Sequence, residues 1–471
     1  PGAAPRYSML ATIREFALAA LTAASEEPAA RTAHAAALIA RAETAIPALR
    51  GPDSSHWLHL LEQDHDNLRA ALAWSTNADP GAALALAGGY WRFWHQAGHW
   101  REARLWIDSA LAAAPEPAAS LTLTRVHALL GAAVMADRLG DLQDARSSAE
   151  QALAIARQLA DPRAQAQALN ILGIIADEVG DLAASITYLT EAIDHLTALG
   201  ETAAVIDAIT NLSNTAGRNG QSSLAVEMLL QALNMAQDLN DRRAEFDLLL
   251  NLGAIHELRG DPSLAQAAFD LALPIAQEHG SDEYTGQHLL FVAAVLEHLG
   301  ELDQAQATLS DALGRLANAN AVAYIPYAQL TLGRILIRQQ QHGAARPLIA
   351  DALRDARQIG LYDALIEALD TCAAYAAATH RPDLAALLGG AASQAQDAAG
   401  NIILPGYVTR LQHYRPALEA ALGSDAYHTS FARGRALPFD QSQSIAQALL
   451  AEDDPDIPAA DPLVLSLITG P

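Results

Sequence analysis

Histidine and carboxylate side chains occur close together at three places in this sequence. At the first, His95 and His99 are four residues apart and Glu102 follows, a spacing that places metal ligands on one face of a helix. Gly98 interrupts that face at a predicted turn. The same stretch contains four tryptophans, Trp91, Trp94, Trp100 and Trp106. We interpret it as an aromatic packing cluster and keep a metal site as the less favoured alternative.

The other two groups are too loosely spaced for a metal motif and are interpreted as solvated helix faces. One contains His56, His59, Asp64, His65 and Asp66, and the other contains Glu278, His279, Asp282, Glu283 and His288. Cys372 is the only cysteine and falls in a leucine series, so we expect it to be buried. No nucleophile-elbow, zinc-protease, EF-hand or P-loop signature occurs. We predict no enzyme activity, metal or cofactor in this segment.

The composition restricts the partners of the chain. A formal net charge of -25 and a pI of about 4.9 argue against direct contact with a nucleic acid backbone. No apolar run long enough for a membrane span and no signal peptide are evident. With no cysteine pair for a disulfide, we expect a cytoplasmic protein. The chain begins at Pro1 without Met, which fits a piece of a longer polypeptide or a processed protein.

A repeat of 40 residues dominates the sequence. One series of turn residues is Gly140, Gly180, Gly220, Gly260 and Gly300, and a second lies midway at Gly200, Asn240, Gly280, Asn320 and Gly360. Small residues recur in register at Ala152, Ala192, Ala232, Ala272, Ala312 and Ala352. The pattern predicts pairs of helices that approach closely.

The repeat resembles the tetratricopeptide family, which has a Leu-Gly pair in the first helix, a Gly-Asp turn and small residues on the second helix. The segments NILGIIADEVGDLAASITYLTEAI and LNLGAIHELRGDPSLAQAAFDLAL carry this motif. The usual unit has 34 residues, so these pairs are longer, as in MalT-type regulators. HEAT repeats have this length but lack the Gly-Asp turn. The resemblance implies an all-α, right-handed superhelical solenoid.

In that family the first helix of each pair lines a concave groove, with ligand positions at fixed offsets from its glycine. Transferring those offsets gives eight candidates for groove binding: Arg138, Asn170, Asn211, Asn214, Arg218, Asn251, Arg334 and Arg338. The amides suit a peptide backbone. The arginines indicate a small anionic ligand or an acidic peptide, unless they serve only the solubility of the helix face.

Segments at both ends, including RYSMLATIREFALAAL, AALLGGAASQAQDAAG and GRALPFDQSQSIAQALL, resemble the C-terminal half of bacterial STAND-type ATPase transcription regulators of the LuxR-like and AfsR-like kind. The resemblance implies a DNA-binding domain and a P-loop ATPase upstream, with the repeats as sensor. No residue of this chain matches the ATP site.

Four regions are predicted. Residues 1–78 form a helical segment of about three helices at the end of a winged-helix region, 79–398 form about eight helix pairs, 399–452 form capping helices, and 453–471 form a tail. We predict a non-catalytic sensor module that binds a peptide, a protein or a small anionic ligand and acts on upstream domains of the same polypeptide. The alternative is a free-standing scaffold for protein–protein interaction.

Overall fold

The computed structural model describes residues 9–49, 54–114, 122–398 and 407–451. In these ranges all regular structure is α-helical, with 23 helices and no strand. The chain divides into two compact units, unit 1 (Pro1–Ala132) and unit 2 (Ala133–Pro471). No helix in the described ranges is both long and apolar enough to cross a membrane. The predicted tail, residues 453–471, lies outside the described residues.

Unit 1 contains four helices followed by a first helix pair. The helices are α1 (Ala11–Ala23), α2 (Glu27–Ala48), α3 (Ser54–Gln63), α4 (His65–Ala78), α5 (Pro80–Ala97) and α6 (Trp100–Ala113). The sequence indicates only three helices before residue 78, because no glycine or proline marks the break at Asp64 between α3 and α4. Trp94 and Trp100 are buried, which confirms aromatic packing for these two side chains.

Unit 2 continues the helix pairs and ends in three further helices. The first pair of unit 2 starts with α7 (Leu123–Arg138), which spans the boundary between the units. The helices after it are α8 (Leu142–Gln158), α9 (Pro162–Glu178), α10 (Leu182–Ala198), α11 (Thr202–Arg218), α12 (Ser222–Asp238), α13 (Arg242–Leu258), α14 (Pro262–His279), α15 (Asp282–Leu299), α16 (Leu302–Asn318), α17 (Ile325–Arg338), α18 (His342–Ile359), α19 (Tyr362–Ala378), α20 (Pro382–Ala398), α21 (Tyr407–Leu422), α22 (Ser424–Arg435) and α23 (Phe439–Ala451). The fold is an all-α solenoid of tetratricopeptide-like helix pairs.

Both predicted series of turn residues adopt left-handed backbone conformations. The φ angles of Gly140 and Gly180 are both 77°, and Asn240, in the second series, has φ 54°. Glycine reaches this region without steric cost, and asparagine tolerates it better than most residues. Ala160 and Gln340 adopt it as well, with φ 51° and 62°, although their residue types give no such signal.

The small residues of the repeat lie at the contact between paired helices. Every alanine of the series from Ala152 to Ala352 is fully buried. A Cβ atom built on Gly173 of α9 would lie 2.5 Å from Leu189 Cγ of α10, which is too close. The glycine of the Leu-Gly pair therefore admits a leucine from the partner helix. Cys372 is also fully buried.

The array in unit 2 curves back on itself. The odd-numbered helices from α9 to α19 contact the next odd-numbered helix as well as their pair partners, so they form the inner wall. At the end of this curve, a Cβ atom on Gly140 would lie 2.7 Å from the ring of Tyr362. The turn after α7 therefore packs on α19, and inner-wall residues far apart in sequence come together.

Candidate functional site

A polar face runs along the inner wall of unit 2. Residues at intervals of three or four lie on one side of each odd-numbered helix. On α13, for example, this face carries Arg243, Asp247 and Asn251, and on α17 it carries Tyr327, Arg334 and Arg338. We call this surface the groove face. Three arginines on it, one each on α17, α13 and α7, are the centres of charge clusters.

The cluster around Arg334 on α17 is closely paired. Its side chain is 9% exposed and donates to Glu367 of α19, to Thr331 Oγ1 at 3.0 Å and to Glu297 Oε2 at 3.5 Å. Glu367 and Glu297 are 8% and 15% exposed. Burial alone would lower the pKa of Arg334, but the two carboxylates raise it by more. The guanidinium therefore stays charged and ties α15, α17 and α19 together.

The cluster around Arg243 on α13 is tyrosine-rich. The Asp247 side chain is half exposed, but the surrounding groove wall partly desolvates it, which raises its pKa to about 6 with Arg243 opposing the shift. Burial likewise raises the pKa of Tyr284 to about 12, and the ring of Tyr284 packs against Phe246 at a centroid distance of 4.9 Å. This part of the groove face therefore combines the rings of Tyr284 and Phe246 with one cation, Arg243, and several acidic groups.

The cluster around Arg138 lies where the array closes, and it is rich in carboxyl groups. Asp137 is 7% exposed, and its Oδ2 is 3.9 Å from Arg138 Nε. Burial, and then the carboxyl of Asp137, with which Glu178 shares a hydrogen bond, raise the pKa of Glu178 to about 10. Asp363 of α19 and Tyr327 of α17 also share a hydrogen bond here. Three carboxyl groups thus surround one guanidinium.

The structure brings two of the predicted asparagines together. Asn211 Nδ2 donates to Asn170 Oδ1 at 3.0 Å, which links α9 and α11. Asn251 Nδ2 donates to the carbonyl of Asp247 on its own helix at 2.8 Å. Asn214 is half-buried on α11. This hydrogen bond does not use Asn170 Nδ2 or Asn211 Oδ1. The pair can therefore still donate to and accept from a peptide backbone.

The predicted arginines are less alike than their shared repeat positions suggest. Arg338 is 47% exposed and donates to the backbone carbonyl of Glu297 at 3.0 Å. Arg334 is buried between carboxylates, and Arg138 lies among three carboxyl groups. The side chain of Arg218 is outside the described residues. The three described arginines all have acidic neighbours, so this part of the groove face carries no run of positive charge without acids beside it.

Sequence reasoning missed the acidic members of these clusters. Glu178 occupies the same repeat position as the predicted Arg138, Arg218 and Arg338. Asp137 and Glu297 share the preceding position. Reading each position for all residue types, and not only for arginine, would have found these acids. Their partners on α19 could not be found in this way, because Asp363 occupies a different repeat position.

A separate histidine cluster lies in unit 1. Glu62, His65 and His99 offer ligand atoms that all lie within 4.8 Å of one another. His99 Nε2 is 3.0 Å from Glu62 Oε2, so His99 pairs with Glu62 and not with His95. His65 is buried and its Nε2 accepts a hydrogen bond from Trp94 Nε1 at 3.1 Å. The solvated-face interpretation is therefore wrong for His65.

The hydrogen bond from Trp94 also decides what this cluster can bind. Neutral His65 that accepts at Nε2 carries its proton on Nδ1, the atom that faces Glu62 at 3.8 Å. A metal on Nδ1 would force a proton onto Nε2, directly against the indole N–H. Glu102 is held by Arg69 at 2.6 and 2.7 Å. The cluster therefore serves the packing of unit 1.

The third predicted group is also different from a solvated face. His288 of α15 is buried, and neither ring nitrogen has a hydrogen-bond partner among the described residues. Burial lowers its pKa, which keeps the ring neutral. Glu283 belongs to the surroundings of Arg243. The side chain of His279 is outside the described residues.

No family model matches the chain. It is 34% identical over 180 residues to the "Putative HTH-type transcriptional regulator" proteins of Mycobacterium bovis and Mycobacterium tuberculosis. This match covers 36% of the chain and 20% of the relative in each case. The matched region thus spans about a fifth of the length of these curated relatives.

Solved structures with a similar helical fold include three from regulatory proteins. One is a Rap protein complexed with competence and sporulation factor, with 13% identity, a TM-score of 0.47 and coverage of 82% of this chain and 99% of that chain. Another is NprR in complex with its cognate peptide NprX, with 12% identity, a TM-score of 0.42 and coverage of 64% and 84%. A third is a STAND protein with a tetratricopeptide repeat sensor from Pyrococcus horikoshii, with 12% identity, a TM-score of 0.44 and coverage of 78% and 55%. The likeness is one of fold.

Proposed function

We propose that this chain is a cytoplasmic sensor module of a transcription regulator and that the groove face of unit 2 binds an extended peptide or protein segment. The observation that carries the proposal is the row of charged and amide side chains on the inner wall. Such groups are costly to bury. Their concentration on the inner helices gives them a role beyond solubility, because solubility is served by any exposed face.

The amides favour a peptide as the ligand. The hydrogen-bonded pair Asn170 and Asn211 lies on adjacent inner helices, and Asn251 follows on the next. Adjacent helices are about 9 Å apart, and an extended chain advances about 3.3 Å per residue. About six peptide residues therefore reach from α9 to α13. The spacing fits a short linear peptide or an extended loop of a partner.

The charge pairs refine the expected ligand. Because the arginines have acidic neighbours, a small anion gains little from Arg334, which is already held by Glu297 and Glu367. A peptide with both signs of charge, or an uncharged backbone, fits the groove face better than a simple anion. The similarity to HTH-type proteins supports the regulator context of this proposal. In our proposal this region senses, and other regions contact DNA and nucleotide.

The test is an affinity selection with the full 471-residue chain. The protein is incubated with a pool of random hexapeptides, separated from free peptide by gel filtration, and the bound peptides are identified by mass spectrometry. We expect enrichment of a defined subset. The double variant Asn211→Ala, Asn251→Ala should lose most of this enrichment, because the backbone contacts disappear. The matched control is Gln231→Ala on the outer helix α12, where Gln231 is exposed.

Two outcomes would count against the proposal. No enrichment by the wild-type chain would show that the groove face does not select peptides. Enrichment that survives the double variant but is lost in the control would place binding on the outer surface, as expected of a scaffold. Melting curves of both variants verify that the fold is intact.

A further inference from the structure

His288 of α15 occupies a position that is apolar in the other helix pairs. Counted in steps of 40 residues, the equivalent positions are Ala128, Ala168, Ala208, Leu248, Ala328 and Ala368. All six are buried, and His288 is only 3% exposed. Neither of its ring nitrogens has a hydrogen-bond partner among the described residues. A buried polar group without a partner costs free energy, so the imidazole weakens the contact in which it lies.

The ring of His288 lies where two successive helix pairs meet. The charged side chain that acts on it is Asp270 of α14, in the pair α13–α14, whereas α15 begins the next pair. Phe291, three residues after His288 and on the same side of α15, packs against Phe269 of α14 with the ring centroids 5.9 Å apart. This contact between α14 and α15 continues the solenoid from one pair to the next.

We propose that His288 makes the contact between α14 and α15 a pH-sensitive joint that opens in mild acid. A protonated imidazole carries a full charge and two N–H donors. In the closed contact neither donor has an acceptor, and burying an unpaired charge costs far more than burying a neutral ring. The ring therefore takes up a proton only when α15 separates from α14 and water reaches it.

Proton linkage sets the direction and the range of this opening. Burial lowers the pKa of His288 in the closed contact, and the exposed Asp270 of α14 opposes the shift only in part. No other charged side chain described on α13, α14, α16 or α17 acts on this pKa. In the open form the ring has its ordinary pKa, about 6.5. Below that pH the open form binds more protons than the closed form, so its share rises by up to about tenfold per pH unit as the pH falls.

Opening of this joint would change the groove face. Tyr284 of α15 packs against Phe246 of α13 with the ring centroids 4.9 Å apart, and Glu283 of α15 adds negative charge beside Arg243 of α13. Both contacts cross the joint, so opening separates the members of the cluster around Arg243. A peptide that bridges α13 and α15 binds only the closed form. Proton and peptide therefore oppose each other, a consequence that rests on the proposed function.

Hydrogen–deuterium exchange of the full 471-residue chain tests the joint, because it measures opening helix by helix. Exchange is followed at pH 7.5, 6.5 and 5.5 and corrected for the pH dependence of the intrinsic rates. Between pH 6.5 and 5.5 we expect the opening of α14 and α15 to increase about fivefold relative to that of α9. Helix α9 is the internal reference because it carries Ala168 at the equivalent position.

Two variants locate the effect. Leucine is the residue at the equivalent position of α13, and phenylalanine keeps a planar ring, but neither side chain binds a proton. His288→Leu and His288→Phe should each remove most of the acid-dependent increase in exchange of α14 and α15. His298→Ala replaces an exposed histidine of the same helix and is the matched control, which should keep the increase. An increase that is uniform along the array, is missing from the wild-type chain or persists in either His288 variant would overturn the inference.

A second readout separates the joint from the proposed function. A hexapeptide enriched in the selection is added at saturating concentration, and exchange is measured again at pH 5.5. The bound peptide should slow exchange of α14 and α15 in the wild-type chain by at least about fivefold. Unchanged exchange would overturn the link between the joint and the groove face. If no peptide is enriched, the proposed function fails, and exchange without peptide still decides whether the joint exists.

Discussion

The clusters around Arg334 and Arg138 have the same components but differ in how well these components are paired. Arg334 is buried between Glu297 and Glu367, and both carboxylates reach its guanidinium, although its Nε has no hydrogen-bond partner among the described residues. Around Arg138 the acids outnumber the cation, and Asp137 keeps an unpartnered buried oxygen beside a cavity. We call the cluster around Arg334 the completed cluster, because its cation reaches acids on two neighbouring helices, and the cluster around Arg138 the incomplete cluster, because acids are in excess there.

The largest effect should follow from removing the cation of the completed cluster. Arg334→Met leaves Glu297 and Glu367 buried without their partner and should lower the free energy of unfolding by about 3–5 kcal/mol. Urea denaturation measures it. The double variant Arg334→Met, Glu367→Gln should recover part of the loss. A loss below about 1 kcal/mol would show that the cluster is exposed to solvent and does not hold the helices.

A substitution in the core gives a reference value for the change in the free energy of unfolding, with which the effects of the charge variants can be compared. Ala272→Leu on α14 places a large side chain at a fully buried position of the repeat. Overfilling should lower the free energy of unfolding by about 1–3 kcal/mol. Its neighbour Leu271 is 63% exposed, so Leu271→Ala should change stability little. Equal effects of the two substitutions would contradict the assigned helix register.

The cluster around Arg138 should make stability depend on pH. The pKa of Glu178 is about 10 in the folded chain and ordinarily 4.5. The folded state therefore keeps a proton that the unfolded state releases above pH 4.5, and stability falls as pH rises toward 10. Between pH 6 and 8 the wild-type chain should lose about 1–2 kcal/mol more than Glu178→Gln. Parallel profiles in thermal melts would show that Glu178 does not keep its proton in the folded chain.

Neutralising one acid of the incomplete cluster should stabilise the fold. Asp137→Asn removes one acid from a cluster of three carboxyl groups around a single guanidinium and should raise the free energy of unfolding by about 1 kcal/mol at pH 8. Glu227→Gln, which is exposed, should stay within about 0.5 kcal/mol of wild type. A destabilised Asp137→Asn would mean that the hydrogen bond between Asp137 and Glu178 contributes more to stability than the excess of acid costs.

The smallest effect should come from the exposed arginine beside the completed cluster. Arg338 is 47% exposed and 3.7 Å from Glu297 Oε1. Exposed ion pairs contribute about 0–1 kcal/mol, so Arg338→Gln should change the free energy of unfolding by less than about 0.5 kcal/mol. A loss comparable with that of Arg334→Met would place Arg338 inside the buried cluster and remove the distinction between them.

The solenoid could be predicted from the amino-acid sequence. The 40-residue period, the glycine and asparagine turns and the buried alanine series are local signals, since each acts within one helix pair and recurs in the next. The resemblance to the tetratricopeptide family, applied in the same register, implied which helices line the groove. It predicted Asn170 and Asn211 as groove residues, and the structure places them in contact.

The tertiary structure alone decided which inward residues meet. Asp137 and Asp363 line one cavity although 226 positions separate them, because the curvature of the array brings α7 and α19 together. That curvature is the sum of small rotations between successive helix pairs, and no single repeat specifies it. Whether an arginine is paired or lies beside a cavity depends on this sum. The periodicity of the sequence identifies many residues of the clusters but not which of them come into contact.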